Sequence, residues 1–192
     1  DRYEDELGSY LVKLNGKNMS EKDSHMLTVL LHCIGDLERI GDHAVNVAHS
    51  AKEMNEKKLR FTEAAEAELK VYAKAIKDIL VLAVSALETQ DEKVARSVEP
   101  LEEVIDDLSD ELMSRHVRRL RKGECTIEMG FVLADIMNNY ERVSDHCSNI
   151  AGCVIDMAQE NLNLHESLRE MRSSSEDFKK SYQSYSKKYS IA

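Results

Sequence analysis

Two carboxylates four residues apart recur at three places in this chain: Glu38 with Asp42, Glu102 with Asp106, and Glu141 with Asp145. On a helix that spacing puts both acids on one face, one turn apart, where they can hold a cation between them. The first and third pairs sit inside a longer repeat. Asp36-Leu-Glu-Arg-Ile-Gly-Asp-His-Ala-Val-Asn-Val-Ala48 and Asn139-Tyr-Glu-Arg-Val-Ser-Asp-His-Cys-Ser-Asn-Ile-Ala151 share Glu-Arg-x-x-Asp-His-x-x-Asn-x-Ala, each shared residue lying 103 positions from its counterpart. Such a repeat reads as a fold assembled from two copies of one unit.

Clustered carboxylates suit hard cations and also iron, manganese or zinc, so the ligand type admits a metal without naming it. Their place on the helix strengthens that reading. At about 100° per residue, Glu38 and Asp42 fall in the sector of Leu27, Leu31, Ile34 and Val45, where unpaired acids would be costly. Glu141 and Asp145 share a side with Ala134, Met137 and Ser148, and Glu102 and Asp106 with Val98, Met113 and Leu120. Two such helices face to face would offer four carboxylates to one site. The competing reading makes each acid an ion-pair partner of an arginine such as Arg39 or Arg142. His43 and His146 are rotated about 100° from the neighbouring Asp and are expected on the outer surface. Asn46 and Asn149, one turn beyond Asp42 and Asp145, serve either behind a metal ligand or in an interhelix hydrogen bond.

The elements carrying these acids must be helices. Among 192 residues there are one Pro, seven Gly and no Trp, few breakers and few aromatic strand formers. The fold class is all-α, and 42% hydrophobic residues are enough for a core. A net charge of −10 disfavours nucleic acid and anionic lipid as partners and favours cations. Cys33, Cys125, Cys147 and Cys153 contain no C-x-x-C pair, which points to reduced thiols. No apolar run is long enough to span a membrane. The chain starts at Asp1 within an amphipathic pattern, the pattern expected of a piece of a longer polypeptide.

Residues 1–14 read as the end of a helix carrying Leu7, Tyr10, Leu11 and Leu14. Ser20 caps a long helix to about Asn55, and Thr62 caps another to about Glu88. Asp91 opens the next, which Pro100 should kink or restart and Gly123 should end as the residue past the cap. Thr126 caps the last long helix, to about Gln159. The basic run Arg115-His-Val-Arg-Arg-Leu-Arg-Lys122 falls at a helix C-terminus, where it complements the dipole. These elements divide into a truncated first repeat at 1–55, a complete three-helix second repeat at 62–160 and a C-terminal helix at 164–190. In the tail, Leu164, Leu168, Met171, Ser175, Phe178, Tyr182, Tyr185 and Tyr189 form a seam at spacings of four and three. It is expected to cover the bare apolar side of the helix over 21–55, within the chain or across a homodimer.

The segments Glu38–Asn46 and Glu141–Asn149, together with Leu101-Glu-Glu-Val-Ile-Asp-Asp-Leu108, closely resemble the PhoU family, tandem three-helix bundles whose E(D)-x-x-x-D motifs bind iron or other metals. Tyr10–Leu14, Leu31–His43 and Arg121–Cys125 further resemble the cytoplasmic C-terminal domain of bacterial Na/Pi-cotransporter family proteins. The resemblance covers about residues 1–160. It implies tandem bundles of long antiparallel helices, the first shortened at its N-terminus. It implies a regulatory domain, not an enzyme, on the cytoplasmic side of the bacterial inner membrane, modulating phosphate uptake or signalling. Its partners would be the membrane portion of the same polypeptide and a further copy of the chain, with no nucleic acid and no insertion into the bilayer. Carried over, Glu38 and Asp42 would form one metal site, and Glu102, Asp106, Glu141 and Asp145 the other, for an iron cluster or for zinc, manganese or magnesium. In the first site the matching middle-helix motif is reduced to Asp1. A free-standing PhoU-type negative regulator is the alternative. A di-iron carboxylate enzyme ranks below both, because Gly41 and Ser144 stand where a Glu-x-x-His motif needs histidine.

Overall fold

The structure, a computed structural model, describes residues 2–15, 19–159 and 176–191. All its regular elements are helices: α1 (Arg2–Asn15), α2 (Glu21–Glu56), α3 (Glu63–Thr89), the single turn α4 (Glu92–Ala95), α5 (Val98–Arg121), α6 (Ile127–Gln159) and α7 (Glu176–Lys188).

The boundaries follow local chemistry. Ser20 Oγ accepts from the Asp23 N–H at 3.1 Å and donates to the Asp23 carboxylate at 2.7 Å, closing the start of α2. Thr62 accepts from Ala65 N–H, Asp91 from Lys93 N–H, and Thr126 from Met129 N–H. Pro100 restarts the chain: α4 ends before it, and it occupies the third position of α5, where a missing N–H forfeits no helical bond. At the end of α5, Gly123 takes φ +72°, while Gly123 N–H bonds Leu120 O and Glu124 N–H bonds Arg119 O. That double closure requires the left-handed residue glycine adopts freely. α2 ends the same way around Lys58, at φ +55°.

Helices α3, α5 and α6 form a complete three-helix bundle. Tyr72 and Ile79 from α3, Leu101, Ile105 and Leu112 from α5, and Leu133, Met137, Ile150 and Ile155 from α6 are all almost fully buried and belong to one core. α2 lies along α6 in the most extensive helix pair of the fold, and α1 lies along α2. In its 36 residues α2 buries only Leu27, Val29, Cys33 and Ser50. The first unit is thus a two-helix layer leaning on the second.

The described part of the tail is helical, but it docks elsewhere than on α2. α7 packs on α5; Tyr182 Oη donates to Asp107 at 2.5 Å, and Tyr189 Oη and Lys188 Nζ reach Asp78 of α3 at 2.5 and 2.9 Å. Tyr189 is 1% exposed. The phenols find carboxylate acceptors on the second unit, and that decides the docking side. Residues 164–175 lie outside the described residues.

Candidate functional site

Glu38 and Asp42 line an open groove of about 710 Å³ between α1 and α2, walled by Tyr3, Leu7, Ile34 and Val45. Glu38 is half-buried and Asp42 exposed. In the second unit, Glu102 is buried at 4% exposure, Asp106 and Glu141 are exposed, and Asp145 is half-buried. Arg142 Nη1 pairs with Asp145 at 3.1 Å, an ion pair that a metal at that acid would have to displace. Asp106 and Glu141 are brought to the same neighbour, Tyr72. Burial pushes the Tyr72 phenol well above its ordinary value, and these two carboxylates add to the push.

The oxygen donors have the right chemistry for a hard cation. Their placement, however, does not complete a cage: among the described residues no three His, Cys, Asp or Glu side chains converge into a metal-holding group. The acids stand as pairs along the helices.

Between the pairs lies an arrangement that helical projection alone had put on the outside. His43 and His146 are not surface residues; their rings stack across the α2–α6 seam, centroids 5.6 Å apart and planes 26° from parallel. Each reaches the opening residue of the opposite repeat. His146 Nδ1 donates to Asp36 Oδ1 at 2.8 Å, and Asn149 Nδ2 donates to the same oxygen at 3.3 Å. In the mirror position, His43 Nδ1 and Asn46 Nδ2 bond Asn139 Oδ1 at 2.9 and 3.1 Å. Asn139 Nδ2 donates to Asp135 O at 2.7 Å, which fixes the amide with its oxygen toward the histidine. Both imidazoles therefore carry the proton on Nδ1. The rotation of about 100° from the acids was sound; the direction it points in is a second packed face, half-buried between α2 and α6. Asn46 and Asn149 take the interhelix hydrogen-bond role.

The two-copy organisation extends to comparisons with known proteins. The PhoU domain family model matches residues 1–51 and 69–154. A phosphate-specific transport system accessory protein PhoU homolog 1 from Thermotoga maritima is 30% identical over 155 residues, 81% of this chain. The chain belongs to the PhoU family. It spans 66% of that curated relative's length. The crystal structure of PhoU from Pseudomonas aeruginosa superposes with a TM-score of 0.77 at 22% identity, over 83% of this chain and 76% of that one, and shows the same helical-bundle fold.

Several polar residues of this PhoU domain carry no signal in the sequence motifs. Glu99, 1% exposed, accepts a hydrogen bond from Ser148 Oγ. Glu68 anchors the basic run: Arg119 Nη1 and Nη2 meet its two oxygens at 3.0 and 2.9 Å, and Arg115 Nη1 approaches at 3.4 Å. Those arginines are internal partners of an α3 acid as well as dipole-complementing residues. His116 is buried, its Nε2 only 2.8 Å from where a Cβ on Gly130 would sit, so that glycine keeps α5 and α6 close. Exposed-face periodicity hides all of these, since their partners are tens of residues away in sequence.

Proposed function

We propose that this chain acts as a free-standing PhoU-type negative regulator of phosphate transport and signalling. The reading is supported most by the match of the PhoU domain model to both units, and next by the accessory-protein role named for the Thermotoga maritima relative. The seam through Asp36, His43, Asn139 and His146 gives such a regulator a fixed relation between its two units. The chain works without a catalytic step, on the cytoplasmic side of the bacterial inner membrane, in contact with a phosphate transport system and with further copies of itself. None of the described helices is long and apolar enough to cross a membrane. Expression in a bacterial strain lacking its own PhoU tests the role: phosphate uptake and a phosphate-starvation reporter should return to their repressed levels, and unchanged values would refute it.

A second reading, the cytoplasmic domain of a Na/Pi-cotransporter family protein, rests on Tyr10–Leu14, Leu31–His43 and Arg121–Cys125. The sequence upstream of Asp1 in the parent reading frame separates the two.

Metal binding belongs to the same proposal, with Glu38 and Asp42 on one unit and Glu102, Asp106, Glu141 and Asp145 on the other. It is supported by the repetition of the pairs and by the approach of Asp106 and Glu141 to a common neighbour. Elemental analysis of protein purified without chelator should find metal that Glu141→Gln with Asp145→Asn removes; metal unchanged in that double variant would exclude the second-unit site.

A further inference from the structure

Away from the carboxylate pairs, α2 and α6 bring two thiols together. Cys33 and Cys153 are 2% and 1% exposed and form a small buried cluster with Val29, walled by Leu87 and Met157. Their side chains pack together across the seam. The other two cysteines are placed differently. Cys147 sits in the main core, and half-buried Cys125 lies 3.9 Å from His116 Nδ1. All four are free thiols.

We propose that Cys33 and Cys153 are a redox-sensitive pair that a hydroperoxide converts to a disulfide, tying the first unit to the second. Thiols packed in one buried cluster need only a small approach of their sulfurs to reach bonding distance, and the apolar walls offer no competing nucleophile. Cys33 reacts first. The neighbouring Cys153 thiol favours the Cys33 thiolate against the cost of burial, whereas Cys33 and burial together hold Cys153 protonated. The Cys33 thiolate attacks one peroxide oxygen; the S–O bond forms, the O–O bond breaks, and hydroxide leaves to take up the thiol's proton as water. The Cys153 sulfur then loses its proton and attacks the Cys33 sulfenic sulfur. The S–S bond forms, the S–O bond breaks, and a second water leaves. Two thiols and one hydrogen peroxide give one disulfide and two waters.

Access comes through α2, which buries four side chains over 36 residues and can open locally while α6 stays packed. The bridge would close a loop from residue 33 to residue 153 and fix the setting of the two units, a constraint that acts chiefly on the unfolded chain.

The test treats the full chain with hydrogen peroxide, then denatures and alkylates it. Thiol counting should fall from four to two, and peptide mapping should find Cys33 linked to Cys153, lighter by two hydrogens and restored by dithiothreitol. The oxidised protein should melt about 5 °C or more higher. Cys153→Ala and Cys33→Ser should each abolish both the link and the rise, while Cys125→Ser keeps them. The wild-type peptide map decides the matter even where a variant folds poorly. Four thiols surviving, or a bridge through Cys125 or Cys147, would overturn the proposal.

Discussion

The two repeats carry nearly the same motif, yet they are held in different ways. The copy on α6 is enclosed by α3 and α5, so Leu133 is 1% and Ile150 0% exposed. Their counterparts on α2, Leu30 and Val47, are only half-buried, because α2 has α6 on one side and α1 on another and leaves a groove between α1 and α2. The seam differs too. Asp36 offers His146 a carboxylate, whereas Asn139 offers His43 an amide oxygen. A motif specifies which faces of a helix are polar; the number of neighbours decides what each face is worth.

Matched substitutions should expose that difference most strongly in the core. Leu133→Ala should cost about 3–4 kcal/mol, since it opens a cavity in a closed bundle, and Leu30→Ala less than about half as much. Equal losses in denaturant titrations would mean that α2 is packed as tightly as α6.

The seam gives a smaller contrast. Asp36→Ala removes a charge-assisted acceptor serving two donors and should cost about 2 kcal/mol, against about 1 kcal/mol for Asn139→Ala. Identical shifts in melting temperature for the two would show that the carboxylate adds nothing over the amide.

A third contrast lies in pH dependence. Burial, with Arg119 nearby, holds His116 below the ordinary imidazole value of 6.5. The unfolded chain therefore takes up this proton first, so its contribution to stability is complete above about pH 6.5 and is lost as the pH falls below that toward the folded value. His116→Gln should flatten that part of the stability profile. Leu11 stands at the equivalent place when Leu7 is aligned with Leu112, so the first unit has no matching titration. An unaltered slope in the variant would assign it to another group.

The smallest effect concerns the helix ends. Lys58 and Gly123 do the same job at φ +55° and +72°, but only one is glycine. Lys58→Gly should stabilise the chain by about 0.5–1 kcal/mol by relieving the left-handed side chain. A loss of stability in thermal melts would mean that the Lys58 side chain contributes more than its backbone costs.

Much of the fold is legible locally. Ser20, Thr62, Asp91, Thr126 and Gly123 mark helix ends through bonds that reach only a few residues, and Pro100 marks its restart for the same reason. The doubled motif announces two units. What the chain hides is pairing over distance. Nothing near Glu68 points to Arg119, and nothing near Cys33 points to Cys153. His43 and His146 look outward on a helix assumed to have one buried face, when α6 has the bundle on one side and α2 on another. The described part of the tail, Glu176–Lys188, is a helix as its spacing suggests, but its docking side depends on Asp78 and Asp107, which no periodicity singles out. The acid pairs are plain in sequence, while the distances among them depend on how three helices are set.

The stacked histidines carry one more consequence. Since His43 bonds residue 139 and His146 bonds residue 36, the contact is isologous, the kind made by two identical subunits about a dyad, here within one polypeptide. Each motif is completed by the other copy and not by itself. Residues 36 and 146 form one hydrogen-bonded pair and residues 43 and 139 another, so a change at one position leaves its partner unpaired about a hundred residues away, across the axis.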